Sequence, residues 1–209
     1  MKVAVLCANG KAGQLIVTEL LSRGVEVTAI VRGENRSKAP KAIIKDIFTL
    51  TSDDLNDFDV IINCFGVFAD DLLDQFTSLA KQLCDALSGK TQRLLIVGGA
   101  GSLYTDETHQ TQMFDTPDFP EIYKKASKAH GQSLEYYRTR SDVKWTYVSP
   151  ALDFVVDGAK TGKYTLIGEE VKFNSKGESA ISYADFATAI VDEALNGNHI
   201  QQRISFLTE

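Results

Sequence analysis

Glycines and polar residues that could hold an anion directly follow the first apolar run of the chain. The run Val3–Leu6 leads into the turn Cys7–Gly13, and leucines and isoleucines then continue at helical spacing. A strand, a glycine turn and a helix in this order expose backbone N–H groups at a helix N-terminus, where a phosphate can bind. Gly10 suits close approach of the phosphate, and Gly13 suits tight packing of the helix on the strand. The residues expected around the phosphate are Asn9, Gly10, Lys11, Ala12 and Gly13.

Positive charge follows the second apolar run, Val25–Val31. Arg32 comes at once, with Arg36 and Lys38 close behind it. Dinucleotide-binding units commonly have an acidic residue here, which accepts hydrogen bonds from the ribose 2′-OH of NAD. Guanidinium groups instead suit the 2′-phosphate of NADP, because they offer forked donors. We therefore expect NADP(H) to be preferred over NAD(H), with Arg32 and Arg36 on the phosphate. The alternative is that Arg36 and Lys38 are only solvated loop charges.

Later apolar runs end in the same way, with polar or small residues after each predicted strand. The carboxyl ends of parallel strands share one edge of the sheet, where open α/β sheets bind ligands. Asp46 is placed to accept a hydrogen bond from an adenine amino group, or else to cap a turn, and Gly66 would let the backbone approach a ligand. The cofactor-binding residues expected along this edge are Asp46, Ile47, Cys64, Phe65, Gly66, Gly98, Gly99, Pro150, Ala151 and Leu152.

Strand-like and helical patterns alternate along most of the chain. The strands are near-continuous apolar runs, typical of a parallel sheet covered on both faces, and periodicity predicts helices over 12–23, 71–87 and 120–138. We predict an α/β fold with a Rossmann-like doubly wound parallel sheet, as one domain over residues 1–209. Residues 150–180 are expected to add a small substrate-side lobe. Ile43–Ile47 is predicted as the third strand, Tyr164–Ile167 and Val171–Phe173 as a hairpin, and Ser182 as a helix cap.

Composition narrows the class of protein further. The net charge of −6 argues against a general nucleic-acid binder, which normally carries a basic face. The cysteines Cys7, Cys64 and Cys84 are far apart and are expected to be free thiols, and the three histidines have no metal-ligand spacing with them. No signal-like segment or long apolar run is present. We expect a cytoplasmic protein with no metal, nucleic-acid or membrane partner, and the oligomeric state is left open.

Together these segments resemble the atypical short-chain dehydrogenase/reductases of the NAD(P)H-flavin reductase type, close also to the biliverdin reductase B and NmrA-like group. The resemblance covers the chain end to end, and its most specific part is the run from Gly98 to Leu103. It implies an extended NADP(H), with the nicotinamide between that run and the Pro150 turn. The segments that carry it are Cys7–Gly13, Val31-Arg32 with Arg36, Val97–Leu103, Trp145–Ala151 and Ile181–Ala187.

The sequence departs from typical short-chain dehydrogenases at two places. Cys7 stands where the first glycine of the turn belongs. The Tyr-x-x-x-Lys pair, in which the ammonium lowers the pKa of the phenol for proton transfer, is missing, because Tyr123 has Ser127 at the fourth position after it. Carbonyl reduction that relies on a tyrosine acid is thus disfavoured. Hydride transfer to a flavin needs only two rings held face to face, since solvent can exchange the proton.

We therefore expect an NADPH-dependent oxidoreductase that takes flavin, or a similar planar acceptor, as substrate and not as a bound cofactor. Ser102 is the candidate catalytic residue, as a donor to the acceptor, or else a serine that stabilises a turn. Phe68 and Tyr104 are the candidate substrate contacts. A non-catalytic NADP sensor of the NmrA-like kind is the main alternative. A nucleotide-sugar isomerase or dehydratase would need an acid/base pair that the sequence does not offer.

Overall fold

The chain forms ten strands and five helices. The computed structural model describes residues 1–209. The strands are β1 Lys2–Leu6, β2 Glu26–Val31, β3 Lys41–Ile44, β4 Val60–Asn63, β5 Arg93–Val97, β6 Lys144–Ser149, β7 Asp153–Val155, β8 Tyr164–Ile167, β9 Ala180–Ser182 and β10 Gln202–Thr208. The helices are α1 Lys11–Ser22, α2 Ser52–Leu55, α3 Gln75–Leu87, α4 Glu121–Arg138 and α5 Tyr183–Asn196.

Eight strands form one sheet in the order β3-β2-β1-β4-β5-β6-β10-β8. All neighbours are parallel except β10 and β8. Chain order reverses between β1 and β4, which run side by side with Leu6 opposite Asn63. This is the doubly wound α/β arrangement predicted from the sequence, and the crevice beyond β1 and β4 is its topological switch point.

Helices cover both faces of the sheet, so the central strands are buried on both sides. One core joins α1 and α5 to the sheet through residues such as Ile16, Leu20 and Phe186. The other joins α3 and α4 through Leu83 and Tyr137. Burial on both faces explains the continuous apolar strands, since neither side of β1 or β4 meets water. None of the helices combines the length and the apolar character needed to cross a bilayer.

Several predicted elements differ in detail from the structure. The predicted hairpin of Tyr164–Ile167 with Val171–Phe173 is wrong, because β8 pairs with β10 and residues 171–173 form no strand. The third strand ends at Ile44, and Ile47 begins a short 3-10 turn. The helix predicted over 71–87 starts at Gln75, preceded by a 3-10 turn at 70–72. The pairing of β8 depends on a distant partner, β10, which local pattern does not reveal.

The segment after β6 contains a second, two-stranded sheet of β7 and β9, which are parallel. Sequence patterns gave no signal for it, since both strands have only three residues. The Ser182 side chain accepts a hydrogen bond from the Asp185 N–H at 2.9 Å and so caps α5, as the capping-box pattern predicted. Thr161 and Gly162 donate backbone N–H bonds to the Asp185 carboxylate, which ties the segment to α5.

Candidate dinucleotide site

The turn after β1 wraps tightly against the first helix. Cys7 adopts a left-handed backbone with φ of 57°, and its carbonyl accepts the Gly10 N–H at 2.9 Å. A Cβ on Gly13 would stand 2.7 Å from the Cys7 oxygen, so only glycine fits at that position. No side chain caps the start of α1, and its first turn has no acidic residue. The N-terminus of α1 is therefore free to receive an anion at the switch point.

Asn9 links this turn to the loop after β2. Its amide Nδ2 donates to the Glu34 carbonyl at 2.9 Å, and its Oδ1 accepts from the Arg36 backbone N–H at 2.7 Å. Both ends of the amide are thus used within the protein. Asn9 fixes Arg36 beside the glycine turn, a role in positioning that its place in the sequence did not reveal.

Arg32 and Arg36 differ from every other arginine of the chain. The guanidinium groups of all the others pair with carboxylates. Arg32 and Arg36 are exposed and form no ion pair or side-chain hydrogen bond, and Lys11 and Lys38 nearby are also exposed and unpaired. Unpaired cations beside an uncapped helix N-terminus form an electropositive surface that can bind a phosphate group.

Asp46 and Ile47 lie beyond the end of β3 and not within it. The Asp46 carboxylate accepts the Phe48 N–H at 3.0 Å and caps the 3-10 turn, which was the alternative considered for it. Its second oxygen has no partner within the protein, and Ile47 is buried below. Asp46 can therefore present one carboxylate oxygen to a ligand while its position is fixed by the cap.

The turn after β4 faces the glycine turn across the switch point. Asn63 Oδ1 accepts the Phe65 N–H at 3.0 Å and holds the chain as it leaves the strand. A Cβ on Gly66 would meet nothing within 4 Å, so the space above this glycine is open. Cys64 follows β4 as Cys7 follows β1, and burial raises the pKa of both thiols, that of Cys7 to about 11. Both cysteines are free thiols that stay protonated near neutral pH.

The glycines after β5 are closely packed. A Cβ on Gly98 would enter the ring of Tyr147, and one on Gly101 would enter the Ser127 side chain. Gly99 leaves room for His130, whose Cδ2 would lie 3.0 Å from a Cβ there. These glycines admit side chains from β6 and α4 against the strand end. Close internal packing thus explains why the run from Gly98 to Leu103, the most specific part of the family resemblance, is rich in glycine.

Ser102 is fully buried. Arg203 Nη1 donates to its carbonyl at 2.8 Å and to its hydroxyl at 3.0 Å. Arg203 is itself buried, and its guanidinium also contacts Glu169. The structure places the Ser102 hydroxyl inside this network, a position that fits the turn-stabilising alternative and not donation to a substrate.

The two predicted substrate contacts lie in separate settings. Phe68 is 79% exposed in the segment between β4 and α3. Tyr104 stacks on His109 with ring centroids 4.5 Å apart and lies over the Arg203 guanidinium. No aromatic contact joins Phe68 to Tyr104. The structure leaves Phe68 free to contact a ligand and ties Tyr104 into the loop after Ser102.

The end of β6 closes the edge beside β5. Ser149 Oγ donates to the Gly99 carbonyl at 3.0 Å, and Pro150 and Ala151 are buried behind it. The Leu152 N–H lies 3.4 Å from Ser179 Oγ, and Leu152 is partly exposed. The hydrogen bond from Ser149, the residue before Pro150, therefore holds the end of β6 beside Gly99.

His130, which the sequence indicated only as an exposed or internally bonded histidine in the middle of a helix, also lies at this edge. Its ring packs on Phe76 with centroids 4.1 Å apart, and Nδ1 lies 3.0 Å from the Tyr147 hydroxyl. Burial lowers the pKa of His130 to about 4 and raises that of Tyr147 to about 12, so both are neutral at pH 7. A usable signal was its spacing of three from Ser127, which puts the two side chains on one helix face.

Comparison with known proteins agrees with this geometry. The chain is 39% identical to the uncharacterized protein YwnB of Bacillus subtilis over all of this chain and 99% of that protein. A solved structure from Streptococcus pneumoniae TIGR4, SP1627, a "putative NADH-flavin reductase", matches with 51% identity, a TM-score of 0.98 and full coverage of both chains.

A second solved structure, a "putative epimerase" from Bacteroides thetaiotaomicron, matches at 28% identity and a TM-score of 0.84, over 99% of this chain and 96% of that one. A family model described as NAD(P)H-binding covers residues 7–196, from the turn after β1 to the end of α5. The protein belongs to this NAD(P)H-binding family of Rossmann-like proteins.

Proposed function

We propose that the protein is an NADPH-dependent oxidoreductase that transfers hydride from the nicotinamide to a flavin or a similar planar acceptor. The observation that carries the cofactor part is the pair of unpaired arginines, Arg32 and Arg36, beside the uncapped start of α1. The relative with 51% identity, named as a putative NADH-flavin reductase, supports the acceptor part. When bound, the nicotinamide would supply a hydride.

The adenine half of the cofactor would be held by residues around β1, β2 and β4. Backbone N–H groups of Lys11, Ala12 and Gly13 would meet the pyrophosphate, since the first N–H groups of a helix have no partner within it. Arg32 and Arg36 would bind the 2′-phosphate through forked donors. The free oxygen of Asp46 would accept from the adenine amino group, and the open space above Gly66 would admit the chain of the dinucleotide.

The nicotinamide half would lie along β5 and β6, beside Gly99 and Pro150. The side chains here do little proton chemistry: Tyr147 is buried with a raised pKa, and Tyr123 has Ser127 in place of a lysine partner. Ser127 is itself packed against Gly101. These packed side chains can hold the nicotinamide ring in place and exclude water. Hydride transfer to a planar acceptor needs no more than this from the protein.

Exposed apolar side chains between β4 and the start of α4 would border the acceptor. Phe68 is 79% exposed, and Ile122 and Tyr123 at the start of α4 are 82% and 52% exposed. An ion pair between Asp70 and Lys125 brings the Phe68 segment against α4. A planar acceptor would cover part of this apolar surface.

Steady-state oxidation of NADPH with FMN, riboflavin and a quinone tests the activity. We expect loss of absorbance at 340 nm that depends on both protein and acceptor. Phe68→Ala should raise the KM for the acceptor more than the KM for NADPH. Tight NADPH binding with no turnover of any acceptor would contradict the proposal.

That outcome would favour the second candidate, an NADP-binding regulatory protein of the NmrA-like kind. The absence of a tyrosine acid fits a sensor as well as it fits flavin reduction. A sensor would reduce nothing and would retain a protein partner only with one state of the cofactor. Affinity capture with and without NADP⁺ distinguishes the two functions.

A further inference from the structure

The side chain of Asn9 joins the turn after β1 to the loop that follows β2. Its Nδ2 donates to the Glu34 carbonyl at 2.9 Å, and its Oδ1 accepts the Arg36 backbone N–H at 2.7 Å. A carbonyl can only accept and a backbone N–H can only donate, so these two partners fix the orientation of the amide. One of the two unpaired arginines is therefore held in place through its own backbone.

The rest of this loop is shaped by hydrogen bonds within itself. Asn35 Oδ1 accepts from the backbone N–H of Ser37 at 3.0 Å and from its hydroxyl at 2.7 Å. Asn35 Nδ2 donates to the carbonyl of Ala39, which is buried in the core. None of these bonds reaches the turn after β1. The two bonds of Asn9 are the only hydrogen bonds that join residues 8–13 to residues 32–40.

We propose that Asn9 is a positioning residue that sets the preference for NADPH over NADH. It holds the backbone of Arg36 beside the start of α1 before the cofactor binds. A side chain whose backbone is already in place loses less conformational freedom when it binds a phosphate, so more of the interaction appears as affinity. The inference rests on the proposed contact of Arg36 with the 2′-phosphate and is independent of the acceptor.

Fluorescence titration of Asn9→Ala with NADPH and NADH tests this role. Asn9 does not have a left-handed backbone, so alanine can replace it without strain. The variant loses both hydrogen bonds, and we expect NADPH binding to weaken about three- to tenfold while NADH binding stays within about twofold. Equal weakening of both cofactors, or no weakening of either, would overturn the proposal.

Gln14→Ala is the matched control. Gln14 Nε2 donates to the Asn9 carbonyl at 2.8 Å, so this variant loses a hydrogen bond of the same turn but none to the loop after β2. The ratio of the NADPH and NADH affinities should stay as in the native protein. A fall in this ratio as large as that of Asn9→Ala would show a general effect on the turn and would contradict the specific role of Asn9.

A double-mutant cycle separates positioning of Arg36 from direct contact of Asn9 with the cofactor. Without the guanidinium, the position of the backbone at residue 36 no longer affects the 2′-phosphate. Adding Asn9→Ala to Arg36→Ala should therefore weaken NADPH binding by less than about 1.5-fold. A loss as large as in the native background would assign a direct contact to Asn9 and would refute the positioning role.

Hydrogen exchange in the cofactor-free protein, followed by NMR, tests the contact itself. The Arg36 N–H should be more protected than the Lys38 N–H, which has no partner in the protein, and it should lose this protection in Asn9→Ala. An unprotected Arg36 N–H in the native protein would overturn the proposal whichever cofactor is preferred. A protected N–H together with equal affinities for NADPH and NADH would instead overturn the proposed 2′-phosphate contact, and with it the role of Asn9 in selectivity.

Discussion

Two glycine-rich strand ends, after β1 and after β5, have opposite surroundings. Beside the β1 end lie an uncapped helix start, exposed unpaired cations and, across the switch point, open space above Gly66. The space beside the glycines after β5 is occupied by the side chains of Tyr147, His130 and Ser127. Glycine at a strand end thus permits the approach of a ligand in one place and of the protein's own side chains in the other. Sequence spacing alone does not separate these uses.

Substitution of glycine by alanine should separate the two regions most strongly. Gly98→Ala drives a methyl group into the buried Tyr147 ring, and we expect the free energy of unfolding to fall by about 3 kcal/mol. Gly66→Ala meets open space and should change it by less than about 0.5 kcal/mol. Urea denaturation measures both. Comparable losses for the two variants would mean that the comparison is wrong.

The arginines test what the open region binds. Arg32→Ala combined with Arg36→Ala should weaken NADPH binding about 100-fold, because each guanidinium would lose a charged hydrogen bond to the 2′-phosphate. NADH, which has no such phosphate, should lose less than about threefold. Fluorescence titration with both cofactors measures the difference.

Lys90→Ala, which removes an exposed and unpaired cation at the turn before β5, is the control for net charge. It should leave both affinities unchanged. Equal weakening of NADPH and NADH by the double arginine variant would refute the assignment to the 2′-phosphate.

The smallest expected effect is that of replacing Cys7, which lies in the turn after β1. Cys7→Gly relieves a left-handed backbone but makes the unfolded chain more flexible, so the free energy of unfolding should change by less than about 1 kcal/mol. NADPH affinity should stay within about twofold, because the same backbone is kept. Gly13→Ala in the same turn should weaken binding strongly, since its Cβ would press on the Cys7 carbonyl. Denaturation and titration of both variants check this.

Local pattern predicted much of this molecule. Continuous apolar runs indicated a doubly wound parallel sheet, because buried strands must be apolar on both faces. The Ser182 cap was also readable, since a capping box involves residues only three apart. The pairing of β8 with β10 was not, because its partner lies about forty residues further along the chain.

The candidate site was likewise predictable from the sequence only in part. Residue types at strand ends were enough to predict a dinucleotide crevice, because topology brings all carboxyl ends to one edge. Tertiary structure decided which of those residues remain available to a ligand. Arg32 and Arg36 have no carboxylate partner, whereas the Ser102 hydroxyl is hydrogen-bonded by Arg203. His130 packs against Gly99 and uses only one of its ring nitrogens within the protein. Whether a side chain is free or already bonded depends on neighbours far away in the chain, and only the folded structure specifies them.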